Sequence, residues 1–345
     1  MVKGGIVKVL IIGDLHFGEH SNSEKYNKNM VDFFDWVTKI DNIDLVIQMG
    51  DYFHSRNSVN VQTLNYGIKG AKILNEAFGK DKLHVLTGNH DIYFKDRLDT
   101  HSLAVIEPYV TIVNETKFID NILITPWIID NEQWDNLVKD SKGYDYVFGH
   151  FEFNGFKMND AYVMEHGNSH KELKKAKRVL SGHFHSPQVI DNVHYVGTPI
   201  PTTMSEANEA HGVYILDTET DELEFIEYTK VRVVSIPYTE IETLEQYDPE
   251  FTTVRVEFPD DLADETLITE VQEYLAEKKF DEVKIKYKGN KAKEIIESFV
   301  EKIEEVDNID LVVKTFLSKS IEIDGVDKSK LLFYYDKAIE KEEQV

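Results

Sequence analysis

The chain has 345 residues, a formal net charge of -25 and no cysteine. The length is more than one hydrophobic core usually holds, so two or three domains are expected. The charge excludes a protein that coats nucleic acid by bulk electrostatics, and the missing thiols exclude disulfides and thiolate metal sites and suit a cytoplasmic protein. No run of about 18 apolar residues occurs, so no membrane span is expected. The apolar N-terminal stretch runs directly into a polar loop without a signal-type cleavage site, and reads as a first strand.

In chain order, short Val/Ile/Leu-rich runs end in polar loops. "IVKVLIIGDLH" predicts a strand ending near Ile12, "IDLVIQMGD" one ending near Met49, and "KLHVLTGNHD" one ending near Thr87. "YDYVFGH" ends near Phe148 and "RVLSGHFH" near Ser181, with "HYVGTP" following. Runs this apolar suit strands buried on both faces. "SEKYNKNMVDFFDWVTKI" and "NVQTLNYGIKGAKILNEAF" carry apolar residues at spacings of three and four and predict helices between them. The alternation gives an α/β layered core, closed by the hairpin "GVYILDTETDELEFIEY" at about residue 229. The texture then changes. Over 230–289, "VRVVSIPY" leads into "TTVRVEFPDDL" and "DEVKIKYKG", strands flanking the helix "DETLITEVQEYLAEKKF", which make a small α+β module. Over 290–345 the pattern is helical and highly charged, interrupted by "EIDGVD".

Every polar cluster of the first domain falls at the carboxyl end of a predicted strand, the crevice where open α/β sheets bind ligands. In order these are "GDLH" with Asp14 and His16, "GDYFH" with Asp51 and His54, "GNHD" with Asn89, His90 and Asp91, "GH" with His150, and "GHFH" with His183 and His185. Residues two apart on an extended segment point the same way, so His183 and His185 aim at one spot. Carboxylate, imidazole and amide oxygen without sulfur favour manganese, iron or zinc over copper(I). The donors are too many for one tetrahedral site and suit two ions about 3.5–4 Å apart bridged by a carboxylate.

This ordered set resembles the calcineurin-like metallophosphoesterase superfamily over residues 7–200. "GDYFHSR", "GNHD", "GHFEFNG" and "SGHFH…YVGTP" look most like the SbcD-type nucleases, and "GHFEFNGF" like their phage representatives. The resemblance implies a layered β-sandwich with flanking helices, a small capping domain that binds DNA, and C-terminal helices. It implies one metal on Asp14, His16, Asp51 and His185, and a second on Asp51, Asn89, His150 and His183, with Asp51 bridging. His90 would stabilise charge or protonate the leaving oxygen near the scissile phosphate, and His54 would contact His90 or that phosphate. A hydroxide drawn from water by two divalent cations would attack the phosphodiester in line. The cations would be Mn2+, with Mg2+, Fe2+ or Zn2+ as alternatives. The implied function is a DNA nuclease, a 3′-to-5′ duplex exonuclease and single-strand endonuclease, acting with an SbcC-type SMC-like ATPase in double-strand-break repair and recombination. The ATPase would dock on the C-terminal helices, where "LLFYYDKA" carries aromatics. The compartment would be the cytoplasm, of the host if the chain is phage-encoded. A phosphomonoesterase or cyclic-nucleotide phosphodiesterase on the same scaffold is the alternative, although "GDYFHSRNS" departs from the Arg-Gly that protein phosphatases show there. A non-catalytic scaffold is a third reading, disfavoured because no ligand of the set is missing.

Weaker features leave two readings each. The basic run "HKELKKAKR", with Lys174, Lys175, Lys177 and Arg178, offers either phosphate contacts or a solvated helix face, and Arg56 is a further candidate for substrate phosphate. The helices expected near 60–77 and 101–109, including Leu64, Ile68, Leu103 and Ile106, match the position of the family's homodimer contacts and equally fit core packing.

Overall fold

The computed structural model describes residues 5–159, 162–259, 265–280, 282–287 and 321–323. The chain divides into two compact units, Met1–Val231 and Arg232–Val345. The first runs β1 (Lys8–Ile12), a single turn α1 (Glu19–Asn22), α2 (Glu24–Val37), β2 (Leu45–Gln48), α3 (Val61–Phe78), β3 (Leu83–Leu86), β4 (Thr111–Val113), β5 (Lys117–Ile119) and β6 (Ile122–Ile124). It continues through α4 (Asn131–Asp140), β7 (Tyr146–His150), β8 (Lys157–Asn159), β9 (Tyr162–Val163), β10 (Arg178–Gly182), β11 (Gln188–Ile190), β12 (Val193–Tyr195), β13 (Gly212–Asp217) and β14 (Glu222–Glu227).

Two six-stranded sheets result, in the orders β14-β13-β1-β2-β3-β4 and β11-β12-β10-β7-β6-β5. Period-two alternation explains how they layer. Val9 and Ile11 of β1 and Leu45 and Ile47 of β2 meet Tyr146 and Phe148 of β7 and Leu180 of β10 in a core between the sheets. Their neighbours Leu10, Ile12 and Val46 face the other way, onto Met30, Phe33, Phe34 and Val37 of α2 and Leu74 of α3. On the outer face of the second sheet, Val147 and Val179 pack with Trp134 and Leu137 of α4. The order is helix, sheet, sheet, helix, the layered sandwich expected. Ser23 caps α2 by accepting the Tyr26 N–H, and Asn60 caps α3 by accepting the Gln62 N–H.

β1, β2 and β3 run parallel, and β7 and β10 run parallel. Their carboxyl ends therefore open into loops together, and those loops are tied. His16 N–H donates to Asp51 O at 2.9 Å, and His54 N–H to Phe17 O at 2.9 Å. The buried Asp91 carboxylate accepts the N–H groups of Gly88, Phe53 and Tyr52, and so pins the loop after β3 to the loop after β2.

The second unit holds β15 (Arg232–Pro237), β16 (Thr252–Phe258), α5 (Glu265–Lys278), β17 (Glu282–Tyr287) and β18 (Ile321–Ile323) in one parallel sheet, ordered as numbered. Val254, Val256 and Phe258 of β16 pack under Val271 and Leu275 of α5. β18 falls where "EIDGVD" interrupts the charged helical pattern, so the sheet draws a strand from the stretch read as C-terminal helices. The rest of 290–345, with the expected ATPase-docking helices, lies outside the described residues.

The segment near 60–77 is α3, whereas 101–109 contains only a 3-10 turn, Ser102–Val105. Leu103 and Ile106 are fully buried within this chain, and Leu64 and Ile68 pack half-buried on the same core. No helix among the described residues is long and apolar enough to cross a membrane.

Candidate metal centre

The five loop clusters converge. Three of their residues, His16 (φ 47°), Asp51 (φ 51°) and His183 (φ 92°), sit in the left-handed region, which costs non-glycine residues on the order of 1–3 kcal/mol each. His183 directly follows β10, while His16 and Asp51 lie in the loops just after β1 and β2.

His16, His54 and His90 form one group of donors at the rim. Two more form at the centre: Asp14, His16 and His185 make the first; Asp51, His150 and His183 make the second; within each of the three, one donor atom per residue lies within 4.8 Å of the rest. Asp51 stands between the two at the centre, its Oδ2 at 3.4 Å from His150 Nε2 and 3.8 Å from His16 Nε2. Asn89 Oδ1 joins the second group, 2.9 Å from His150 Nε2 and 3.0 Å from His183 Nδ1.

Each carboxylate is anchored by one oxygen and presents the other. Asp14 Oδ2 accepts the His183 N–H at 2.8 Å, while its buried Oδ1 has no hydrogen-bond partner. Asp51 Oδ1 accepts the His90 N–H at 2.8 Å, which leaves Oδ2 facing the imidazoles. His16 Nε2 and His185 Nε2 confront each other at 3.0 Å. Two lone pairs at that distance repel unless a proton or a cation lies between them. An orphaned buried carboxylate oxygen and a face-to-face imidazole pair fit divalent cations.

Three of the four rear nitrogens are held as metal-bound histidines require, whereas the buried His16 Nδ1 has no hydrogen-bond partner. His150 Nδ1–H donates to Met49 O at 2.8 Å. His185 Nδ1 faces Thr202 Oγ1 at 3.0 Å and Glu206 Oε1 at 3.5 Å. His183 Nε2 lies 3.4 Å from Glu152 Oε2, and the Trp127 ring leans on both His183 and His150. None of Glu152, Thr202, Glu206 or Trp127 was singled out by spacing. Only "TMSE", a Thr-x-x-Glu capping pattern at Thr203, hinted that Glu206 turns back on its own segment, which it does by accepting from Thr202 and Thr203.

Glycines make the approach possible. A Cβ on Gly88 would meet the Asp51 carboxylate, and one on Gly182 would meet that of Asp14. Both positions must lack a side chain for the carboxylates to sit where they do.

Burial would depress His150 and His185, but Asp51 and Asp14 outweigh it at the first, which is held up at about 10, and Glu206 does so at the second, held up at about 9. Burial pushes Asp14 up to about 7, whereas at Asp51 burial is overcome by His150 and His16, which keep it well below the usual carboxylate range. Both raised imidazoles are protonated at neutral pH, and a ligand nitrogen must give up its proton. Cation affinity should therefore rise with pH through 9 to 10. Calorimetric titration with Mn2+ near pH 7.5, in two buffers of different ionisation enthalpy, should show about two protons released per chain. Release of none would place the cations elsewhere.

The rim is drawn differently from the centre. His90 Nδ1 lies 2.6 Å from the His54 carbonyl oxygen, His54 Nδ1 lies 2.6 Å from Glu19 Oε2, and Arg56 Nη2 donates to Asn89 O at 2.6 Å. The structure thus brings Asp14, His16, Asp51, Asn89, His150, His183, His185, His90, His54 and Arg56 together. It does not bring the basic run. That run contains a 3-10 turn, His170–Leu173, and leads into the amino end of β10, opposite the end that carries His183. Lys177 there pairs with Asp145, and Arg178 with Asp221, so two of its four candidate cations are already matched by acidic partners. Phosphate contact by Lys174, Lys175, Lys177 or Arg178 at this centre has no geometric support.

A family profile described as calcineurin-like phosphoesterase matches residues 7–187, which carry every donor named above. The chain is 30% identical over 232 residues to Exonuclease subunit 1 of Enterobacteria phage T4, covering 64% of this chain and 67% of that protein. A solved structure of the glutamine-dependent NAD+ synthetase of Acinetobacter baumannii shares 11% identity at a TM-score of 0.31, over 96% of this chain and 76% of that one, a likeness too slight to bear on fold or function. With the layered sandwich and the strand-end donors in place, the profile match over more than half of its length places this chain in the calcineurin-like phosphoesterase family, whose enzymes act on phosphate esters with divalent metals.

Proposed function

We propose that the chain is a Mn2+-dependent DNA nuclease, trimming duplex ends from 3′ to 5′ and cutting single strands. It would act as a homodimer with an SMC-like ATPase in recombination and double-strand-break repair. The observation that carries the reading is the pair of donor groups sharing Asp51 at five strand ends, in a chain similar over most of its length to a phage exonuclease subunit.

Asp14, His16, Asp51 and His185 would hold one cation, and Asp51, Asn89, His150 and His183 the other. The chemistry that such a pair supplies is a water of lowered pKa and neutralisation of charge on a phosphoryl oxygen. This chain's own residues do the rest. Since a carbonyl accepts the bond from His90 Nδ1, that nitrogen carries a proton; Nε2 is the atom left to face the leaving oxygen, to which it would donate as the doubly protonated imidazolium. Arg56, already committed at one nitrogen to the Asn89 carbonyl, would present the remainder of its guanidinium to the phosphate. The bound cations would also supply the local attraction for DNA that a chain of net charge -25 lacks.

End-labelled duplex incubated with the protein and Mn2+ should give a ladder of released nucleotides that vanishes with chelator. His90→Ala should slow it by about a hundredfold or more while cations still bind. Intact duplex beside rapid hydrolysis of a nucleoside monophosphate would replace the nuclease with a phosphomonoesterase.

A further inference from the structure

The turn after β1 carries a carboxylate that neither the metal centre nor the proposed leaving-group chemistry uses. Glu19 lies only 17% exposed, with Oε2 2.6 Å from His54 Nδ1. The contact is close, although its angle falls outside hydrogen-bond geometry. Burial would raise the Glu19 carboxyl, but His54 outweighs it and keeps the group ionised.

The segment presenting Glu19 is built at a cost. Gly18 has φ 99°, and His20, Ser21 and Asn22 are all left-handed. A buried polar chain holds it there: Gly18 N–H donates to Asn27 Oδ1 at 2.8 Å, Asn27 Nδ2 to Thr63 Oγ1 at 3.0 Å, and Thr63 Oγ1–H to Asn22 Oδ1 at 3.0 Å. Three successive strained residues persist only where the surroundings over-determine them. On the far side of His54, its carbonyl takes the His90 Nδ1–H. One residue thus joins the carboxylate, through its side chain, to the rim imidazole, through its backbone.

We infer that Glu19 is a positioning residue for the rim: by clamping the His54 side chain it fixes the His54 carbonyl, which sets the tautomer of His90 and leaves Nε2 of His90 on the substrate side. The inference rests on the proposed role of His90. Glu19 touches no reacting atom and contributes no metal ligand.

The test compares the full chain with Glu19→Gln, His54→Ala and the double variant, loaded with Mn2+, on end-labelled duplex and on bis-p-nitrophenyl phosphate. Glu19→Gln should lower kcat about tenfold with KM and cation stoichiometry unchanged; partial unfolding would also lower kcat at constant KM, but would lower the stoichiometry with it. In the His54→Ala background the same substitution should add nothing, because both act through one element. In Mg2+-loaded protein, long-range proton–nitrogen spectra of the histidines should show the Nδ1-protonated pattern of His90 weakened by Glu19→Gln. Unchanged kcat with unchanged histidine spectra, or full additivity in the double variant, overturns the positioning role. Wild-type protein inactive on duplex but active on the small diester would sink the nuclease reading alone, since the cycle can still be read on the diester.

Discussion

The Asp51→Asn protein is expected to keep its fold and to lose phosphoester hydrolysis by at least about a thousandfold, since charge stabilisation by a bound cation is worth several kcal/mol. Asparagine preserves the Oδ1 acceptor that takes the His90 N–H at 2.8 Å, so the loop after β3 stays anchored. What changes is the other atom. Oδ2, set 3.4 Å from His150 Nε2 and 3.8 Å from His16 Nε2, becomes an NH2 whose protons point where a cation should lie. The negative charge that both donor groups share is lost with it. Cation stoichiometry should fall to one or fewer per chain by elemental analysis, and His150, held up chiefly by Asp51 against burial, should titrate lower. A variant that binds two cations and hydrolyses substrate like wild type would show that Asp51 is a structural carboxylate.

Gly182→Ala is expected to be nearly as damaging, although it deletes no donor. The added Cβ would meet Asp14 Oδ1, would lie 2.7 Å from the Met49 carbonyl oxygen, and would lie 2.9 Å from His150 Nδ1. None of the three can retreat cheaply. Asp14 is tied to the His183 N–H, Met49 O to the His150 ring, and His150 is fully buried. Overpacking of this kind costs about 1–3 kcal/mol of stability, and here the strain falls on one donor from each group. Thermal unfolding should shift down by several degrees, and cation affinity should drop by more than tenfold. Affinity equal to wild type would mean that the centre tolerates displacement of Asp14, against the close approach drawn at this strand end.

The strand ends were legible because each is a fully buried apolar run stopped by glycine and a polar side chain. Ile12, Gln48, Leu86, His150 and Gly182 close β1, β2, β3, β7 and β10, within two residues of where the runs were read to end. α2 and α3 were legible because their apolar faces repeat at helical spacing. The flanks of the second sheet were legible only at β12, through "HYVGTP". β5, β6 and β11 are three-residue strands, too short for alternation to register. The basic run left two readings open because clustered lysines suit both phosphate contacts and a helix face; its conformation is one tight turn leading into β10. At the centre, donor types and their order could be read from five glycine-led motifs. The supports could not: Glu206 and Thr202 reach His185 from the segment beyond β12, and Glu152 reaches His183 from beyond β7, through contacts no local pattern encodes.

The central claim is that one carboxylate joins two cation sites. Low-temperature electron paramagnetic resonance of the metal-free protein titrated with Mn2+ tests it most directly. Two equivalents bound per chain, with the spectrum of an exchange-coupled pair about 3.5–4 Å apart, is the result the donor geometry predicts. Two isolated six-line signals, or saturation at a single uncoupled ion, would contradict it.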